Sequence, residues 1–574
     1  MNKLLLYVTI CLLMVMNMSC KDQLRIDERQ TSFDVNYFTY SRYQLTTAIV
    51  DVLKNYGAAA KEPRKGQAMQ YFMDTYSSDQ ITSFFTKYDA DWSMDAGPNP
   101  YTSELRTLTS LTQLATDEGN LANVAAADIL KCVVGAYLTE KYGDVPFSEA
   151  VQGRSGNIFP KFDTQKEIYE QMFELLDNAV TILSNSSSKG LPAQHDVLFN
   201  GDRTKWIKFA NSLKFRLMVH SYEAFKKAGT DLAPEMQKIA AGNQYMSTVE
   251  DNAALGFVGT NTDDSWYLQT NWGTGNEFTE QKPTKYLIDK MVELDDPRMY
   301  VIFAPALSPI SSKTEMTDET IKINGYSYNI TYYPASLYAN TPEVLVATGR
   351  TLTGEVIDVP YPLDAQWFGT PTQINVQSLY GGIGLPGSNG NYDNRRLTGF
   401  SKLIAQTVDD RLKATVMESS EMMFLLAEAK VKGWISSGTA ADFYAKGIKL
   451  SFERWGVFDG EKPTSHIGSD DIVDNYNAYV AKVALDGSSD LDKIALQKWL
   501  SFLITNQTEA FTDYRRTGKP EFVGKIAVSF GPNSYPLRNM YPLNEESNNA
   551  EQYNLAVTAL GGKDLASAKM WIFQ

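Results

Sequence analysis

Leu105, Leu108, Leu111 and Leu114 recur every three residues, a spacing that gathers them on one face of a helix and would scatter them over both faces of a strand. Asp117 to Asn120 interrupt the pattern, and Leu121 to Tyr142, rich in Ala and aliphatics, resumes it, so two antiparallel helices are expected. Gly143-Asp-Val-Pro146 makes the next turn. Thr164 with Glu167 forms a capping-box pair ahead of Ile168, Met172, Leu175, Leu176, Ala179 and Leu183, which opens a third helix. Trp206, Phe209, Ala210, Leu213 and Leu217 mark a fourth. The first 230 residues read as stacked helical hairpins, a helical-repeat lobe without a clean repeat period.

Between about 240 and 410 the pattern changes to dispersed Gly, Asn, Thr, Pro and aromatics with short alternating runs, Ile321-Lys-Ile323 and Tyr326-Ser-Tyr-Asn-Ile330, which predict loops and small hairpins. Helical spacing returns at Met422, Leu425, Leu426 and Ala429, at Phe443, Ile448 and Phe452, and from Ile494 to Ile504. The fold class is therefore mainly α. The helical lobe takes about 41–235 and 415–515 of a single body, 41–574, and a loop-rich insert occupies about 240–410. Such an insert on a rigid scaffold is where binding residues concentrate.

The 574 residues exceed what one compact core of roughly 250 to 300 residues holds, so either several lobes or a repeat array is expected. Lys plus Arg number 53 against 68 Asp plus Glu, a net charge of -15 with no basic block, which argues against a nucleic-acid partner. The histidines are His195, His220 and His466, and no HExxH, CxxC or paired Cys/His spacing occurs, so no metal site is assigned.

Residues 1–19 have a lysine, the apolar run Leu4 to Met16 and a small-residue ending, the plan of a secretory signal. At about 1.5 Å per residue that run covers roughly 20 Å, short of the roughly 30 Å hydrocarbon core, so a signal fits better than a permanent span. Cys20 follows Ser19 directly, as in a lipobox, although Asn17 stands where an aliphatic residue is usual. Cys20 is therefore the expected lipidation site, and 20–40 a polar tether. Removal of Cys11 and acylation of Cys20 leave Cys132 alone, so no intrachain disulfide is expected.

Longer strings then accumulate in order: Tyr142-Gly-Asp-Val-Pro-Phe-Ser-Glu149, Gly201-Asp-Arg-Thr-Lys-Trp206, Phe209-Ala-Asn-Ser-Leu-Lys-Phe-Arg216 and Glu421 to Glu428. Further strings are Tyr444 to Ile448, Trp455-Gly456, Gln497-Lys-Trp499, Glu509, Arg515-Arg-Thr-Gly-Lys-Pro520 and Tyr541-Pro542 with Glu545. Together they resemble the SusD/RagB family from Cys20 almost to the C-terminus. Phe147 departs from the Tyr common in the family, and Trp571-Ile572 from its paired Trp. The resemblance implies a lipid-anchored, surface-exposed outer-membrane binding protein of Bacteroidetes, with a tetratricopeptide-like lobe and an irregular lobe carrying the ligand site. It further implies that the protein works as a lid on a SusC-like TonB-dependent transporter. The family strings are mainly structural, so Trp206 and Arg515 are expected in the scaffold.

Sugar rings pack their C–H faces on flat aromatic rings, so loop-borne Trp and Tyr are the residues to seek. Trp92, Trp266, Trp272 and Trp367 lie in polar or Gly-containing surroundings, and Tyr380 precedes the Gly-rich stretch 382–390; these five are the ligand-binding candidates, with Asn271 and Asn276 as hydroxyl partners. Gly382-Ile-Gly384-Leu-Pro-Gly387 satisfies G-x-G-x-x-G, but Pro386 and the Ser388-Asn-Gly-Asn run that follows exclude a phosphate-binding helix. Asp295-Asp-Pro-Arg298 and Asp470-Asp471 are the acid pairs that a calcium site or a hydrolase would draw on; the first reads as a cap on a helix-to-loop turn, and no EF-hand spacing occurs. A structural calcium ion is left unassigned, and no other cofactor or catalytic residue is indicated. Oligosaccharide capture is the expected function; the alternatives are peptide capture within the same family and a secreted glycoside hydrolase.

Overall fold

The computed structural model describes residues 40–59, 63–74, 91–93, 98–185, 187, 189–257, 281–323, 326–339, 345–350, 356–370, 394–401, 412–457, 476–522 and 536–574. Eleven of its helices frame the site and the core. They are α1 (Ser41–Ala59), α2 (Glu104–Asp117), α3 (Leu121–Tyr142), α4 (Gln165–Ser184), α5 (Arg203–Lys227), α6 (Lys285–Leu294), α7 (Ser419–Val431), α8 (Ala440–Trp455), α9 (Asp490–Ser501), α10 (Gln507–Thr517) and α11 (Ala550–Ala559).

Helices α2, α3, α4 and α5 pack each on the next, and α7 continues the array onto α5, α8 and α9. Their ends follow from local chemistry. Asn120 accepts the N–H of Asn123 to start α3, and Thr164 and Glu167 close the expected capping box on α4. Asp202 accepts from Thr204 and Lys205 at the start of α5. Helix α3 is long and apolar enough to cross a membrane, yet most of it is buried between its neighbours, as a core helix should be. Gly135 on α3 has a steric reason: a Cβ there would lie 2.4 Å from the Phe147 ring.

Trp206 is fully buried and its indole Nε1–H donates to Asp196 Oδ2 at 2.8 Å. Asp196 also accepts the backbone N–H groups of Leu198, Phe199 and Gly201, so the 201–206 string fixes the entry into α5 as expected of a scaffold element. Arg515 lies at the end of α10, its guanidinium against the Phe511 and Phe573 rings.

The helical lobe is cross-tied by buried charge. On α5, Arg216 holds Glu421 through Nε at 2.5 Å and Nη2 at 2.6 Å, and His220 is clamped between Glu140 at Nδ1 and Glu509 at Nε2, both at 2.8 Å. Burial works against the His220 imidazolium, but the Glu509 and Glu140 carboxylates outweigh it and push its pKa up to about 9. Four helices, α3, α5, α7 and α10, are joined through these side chains. A second set, Lys498 and Arg516 on Glu428 and Asp513, ties α9 and α10 to α7.

The insert contains more regular structure than its sequence suggested. Strands β1 (Phe72–Asp74), β2 (Ala253–Leu255) and β3 (Gln281–Pro283) lead into it, and β1 pairs antiparallel with β3. Helix α6 lies inside it. Strand β4 (Ile310–Ser311) runs parallel to β6 (Tyr326–Pro334), which forms the expected hairpin with β5 (Thr317–Ile323). A further hairpin joins β7 (Val346–Arg350) to β8 (Val356–Pro360), and β9 (Ala414–Met417) pairs with β2, returning the chain to the helical lobe. Helix α11 likewise lies beyond the expected C-terminal limit of the helical lobe.

Candidate functional site

The β5–β6 hairpin alternates as a half-buried sheet should. Ile323, Tyr328, Ile330 and Tyr332 are buried on one face, while Asp318, Thr320, Lys322, Ser327 and Asn329 face solvent. Against its buried face runs a strap, residues 361–370, that turns at Asp364 (φ 64°) and carries Trp367. Backbone bonds hold the strap on several sides: Asp364 N–H to Ile310 O, Ala306 N–H to Gln366 O, Thr398 N–H to Phe368 O and Thr370 N–H to Pro283 O, at 2.7 to 2.9 Å. Gly369 passes so close to Thr284 that a Cβ would sit 2.2 Å from its carbonyl oxygen.

Trp367 is half-buried and meets the Tyr300 ring edge-on at 5.5 Å, between the main core and a small cluster of Ala304, Ile323 and Tyr328. Next to it Gln366 Nε2 donates to Tyr332 Oη at 2.7 Å and to Glu319 Oε2 at 3.1 Å, and the Tyr332 hydroxyl donates to the same oxygen at 2.9 Å. Two donors converge on one carboxylate oxygen, and Glu319 Oε1 takes no hydrogen bond from the described residues. Burial, with Glu319 alongside, raises the Tyr332 pKa, so the hydroxyl stays protonated as a donor. Lys313 Nζ lies 5.0 Å from the Tyr332 ring centre. At the start of the strap, Asp364 accepts from the hydroxyls of Ser311 and Ser312, both at 2.5 Å, which lower its pKa. A half-exposed aromatic ring beside a fixed carboxylate, amide and phenol can pack an apolar sugar face while aligning hydroxyls. No nucleophile–base pair is present in this group.

Of the five sequence candidates, Trp367 reaches this site. Trp92 does not: the expectation of a loop-borne, exposed ring is corrected, because the residue is only 6% exposed. Tyr101, Tyr142, Phe162 and Tyr541 surround its ring at 5.1 to 6.2 Å, and its Nε1–H donates to Glu545 at 2.9 Å. No ring face is left for a sugar. Trp266, Trp272, Tyr380, Asn271, Asn276, the 382–387 glycines, Asp470-Asp471 and Cys20 lie outside the described residues. Sequence reasoning missed Tyr300, Glu319, Tyr332 and Gln366; only the alternation of the β6 run and the neighbour relation of Gln366 to Trp367 pointed their way.

Asp295 ends α6 in the left-handed region at φ 56°, the expected turn. Asp296 is fully buried and grips Arg298 through both carboxylate oxygens, at 2.9 and 2.5 Å, with the Tyr479 hydroxyl donating at 3.0 Å, which makes it a structural ion pair. Among the described residues no group of three or more His, Cys, Asp or Glu is arranged to hold a metal ion.

Two family models match the chain. One, described as starch-binding associating with outer membrane, covers residues 35–361. The other, described as Susd and RagB outer membrane lipoprotein, covers 365–573. The chain belongs to the SusD/RagB family. Its localisation is accordingly the outer membrane. Solved structures agree on the fold of this SusD-like protein. A chitin-binding protein is 23% identical with a TM-score of 0.68, covering 93% of this chain and 100% of its own. A SusD homologue from Bacteroides fragilis is 21% identical, TM-score 0.69, with the same coverage. A chitin-binding SusD homologue from Flavobacterium johnsoniae is 17% identical, TM-score 0.60, covering 92% and 98%. No curated protein matches the chain.

Proposed function

We propose that this SusD-like protein captures oligosaccharides at the cell surface without cleaving them and passes them to a SusC-like TonB-dependent transporter, held to the outer membrane by a lipidated Cys20. The observation that carries the binding half is the strap: Trp367 half-exposed on Tyr300, with Glu319, Gln366 and Tyr332 already hydrogen-bonded into one polar edge. Preformed polar groups beside an apolar ring suit a neutral, hydroxyl-rich ligand. The family description and the chitin-binding relatives support glycans over peptides. Trp266, Trp272 and Tyr380 are proposed to complete the aromatic surface.

Screening the purified protein against glycan and peptide libraries tests the reading. Glycan hits weakened by Trp367→Ala are expected, and hits confined to peptides would transfer the protein to the peptide-capturing branch. Incubation with any bound glycan should leave its chain length unchanged; release of reducing ends, abolished by one carboxylate variant, would restore the hydrolase alternative.

A further inference from the structure

The helical lobe exposes apolar side chains at both ends of α3. Beyond its C-terminal end, Ile158 and Phe159 are 68% and 61% exposed, next to the short ladder that pairs Val145-Pro146 with Phe162-Asp163. At its N-terminal end Tyr40, Tyr43, Leu121 and Val197 are 39 to 51% exposed. The 22 residues of α3, at about 1.5 Å each, hold the two ends roughly 33 Å apart.

Fixed contacts gather the residues of the N-terminal end. Ser41, the first residue of α1, donates its backbone N–H to Glu118 at 2.8 Å and its hydroxyl to the same carboxylate, and Asn123 in the first turn of α3 donates to the Ser41 hydroxyl at 2.8 Å. Thr46 donates to the His195 carbonyl at 2.8 Å and the Tyr43 ring meets His195 edge-on at 5.0 Å, which brings the turn carrying Val197 to the starts of α1 and α3. Arg42 is exposed, with its guanidinium 4.7 Å from the Tyr40 ring centre and 4.9 Å from that of Tyr43. Tyrosines and an arginine beside aliphatic side chains are the residues that settle at the level of lipid headgroups, where apolar bodies sink and hydroxyl or guanidinium tips stay wet. Of the acids at this end, Glu118 is taken up by Ser41, and exposed Asp117 accepts from Gln113 at 2.9 Å. Carboxylates must stay hydrated, so such a seat reaches the headgroup layer and not the hydrocarbon. The chain also leaves the body here. From Tyr40 back to Cys20 are twenty residues, which span at most about 70 Å. A lipid on Cys20 is therefore attached to the Tyr40 end and not to the Phe159 end, and a tethered surface needs little affinity of its own to stay docked.

We propose that the end of the helical lobe bearing Tyr40, Tyr43, Leu121 and Val197 seats in the headgroup layer of the lipid bilayer, so that the anchored body stands with its Phe159 end directed away from the membrane. The inference rests on the lipidation of Cys20 and is independent of the strap.

Nitroxide labels on the full-length lipoprotein carrying Leu121→Cys or Phe159→Cys, reconstituted on phosphatidylcholine vesicles, test it. Cys132 is buried, which leaves the introduced thiol as the one to label. Collisions with oxygen, which concentrates in the bilayer, and with a water-soluble nickel chelate read the depth of each label. On vesicles the label at 121 should gain oxygen collisions and lose nickel collisions relative to the same label on vesicle-free Cys20→Ala protein, while the label at 159 stays unchanged. Combining Tyr40→Ser and Tyr43→Ser should return the label at 121 to water, with flotation on vesicles and melting temperature as in the parent, because Cys20 still holds the lipid and both rings lie outside the core. Protein that fails to float with vesicles would overturn the lipid anchor and this seat with it. Floating protein whose label at 121 stays as open to nickel as the label at 159 would overturn the seat alone. A label at 121 shielded from oxygen and nickel alike in isolated outer membranes would mean that a protein covers this end, and would also overturn it.

Discussion

His220 shows how one residue sets a pH limit on this fold. Its pKa is raised from an ordinary 6.5 to about 9. The clamp therefore stabilises the protein fully below about pH 6.5 and loses that contribution as pH rises through 9, a loss on the order of 3 kcal/mol. Glu421 acts in the same direction at lower pH, since burial, partly offset by Arg216, lifts its pKa. Denaturant melts across pH 6 to 10 should show declining stability. His220→Gln should flatten the upper part of that decline and, by removing the cation between Glu140 and Glu509 and leaving Glu509 only its pair with Arg216 at 3.5 Å, cost about 3 to 5 kcal/mol. The tryptophans give a second residue-scale expectation. Trp92→Ala and Trp206→Ala should each lower stability by about 3 to 5 kcal/mol in thermal melts, and Trp92→Phe less, losing chiefly the bond to Glu545. Trp206 could be placed from sequence because its burial follows from helical spacing with Phe209, Ala210 and Leu213. Trp92 could not. Asp91 and Ser93 beside it look like loop, whereas Tyr142, Phe162 and Tyr541, which bury it, are 50 to 449 residues away in the chain.

At the scale of elements, whatever depends on near neighbours was readable. The helix pairs at 104–142, the Thr164 capping box, the helix beginning at Arg203 and the 317–334 hairpin each rest on spacing or turn chemistry within a few residues. The strap was not readable, because no repeat marks it and its shape comes from backbone bonds to Pro283, Ala306, Ile310 and Thr398. Helix α6 inside the insert was missed for a similar reason: only Leu287, Ile288 and Met291 define its buried side. The tight passage at Gly369 gives the test of this element. Gly369→Ala must push the strap off the Thr284 backbone, so glycan affinity should fall about as far as in Trp367→Ala, and the melting temperature should fall as well, though less than in Trp206→Ala. Parent-like binding by Gly369→Ala would mean that the strap position does not matter to the ligand.

At the scale of the molecule, a helical lobe locked by buried ion pairs carries an irregular lobe whose aromatic strap lies on a hairpin. The rigid part holds the strap in place, so capture of a ligand on it would need little ordering. Anchoring is the matching expectation at the other end of the chain. Mass spectrometry of the mature N-terminus should find Cys20 acylated, and Cys20→Ala should release the protein from the outer-membrane fraction; an unmodified Cys20 would contradict the tether. The central claim, that oligosaccharide is held on the Trp367 strap, is tested most directly by calorimetric titration of the parent and Trp367→Ala with the best glycan hit, each variant checked by thermal melt. The account predicts a loss of about 1 to 3 kcal/mol, roughly 5 to 150-fold in affinity, with an unchanged melting temperature. Equal affinity for parent and Trp367→Ala would place the ligand elsewhere and contradict it.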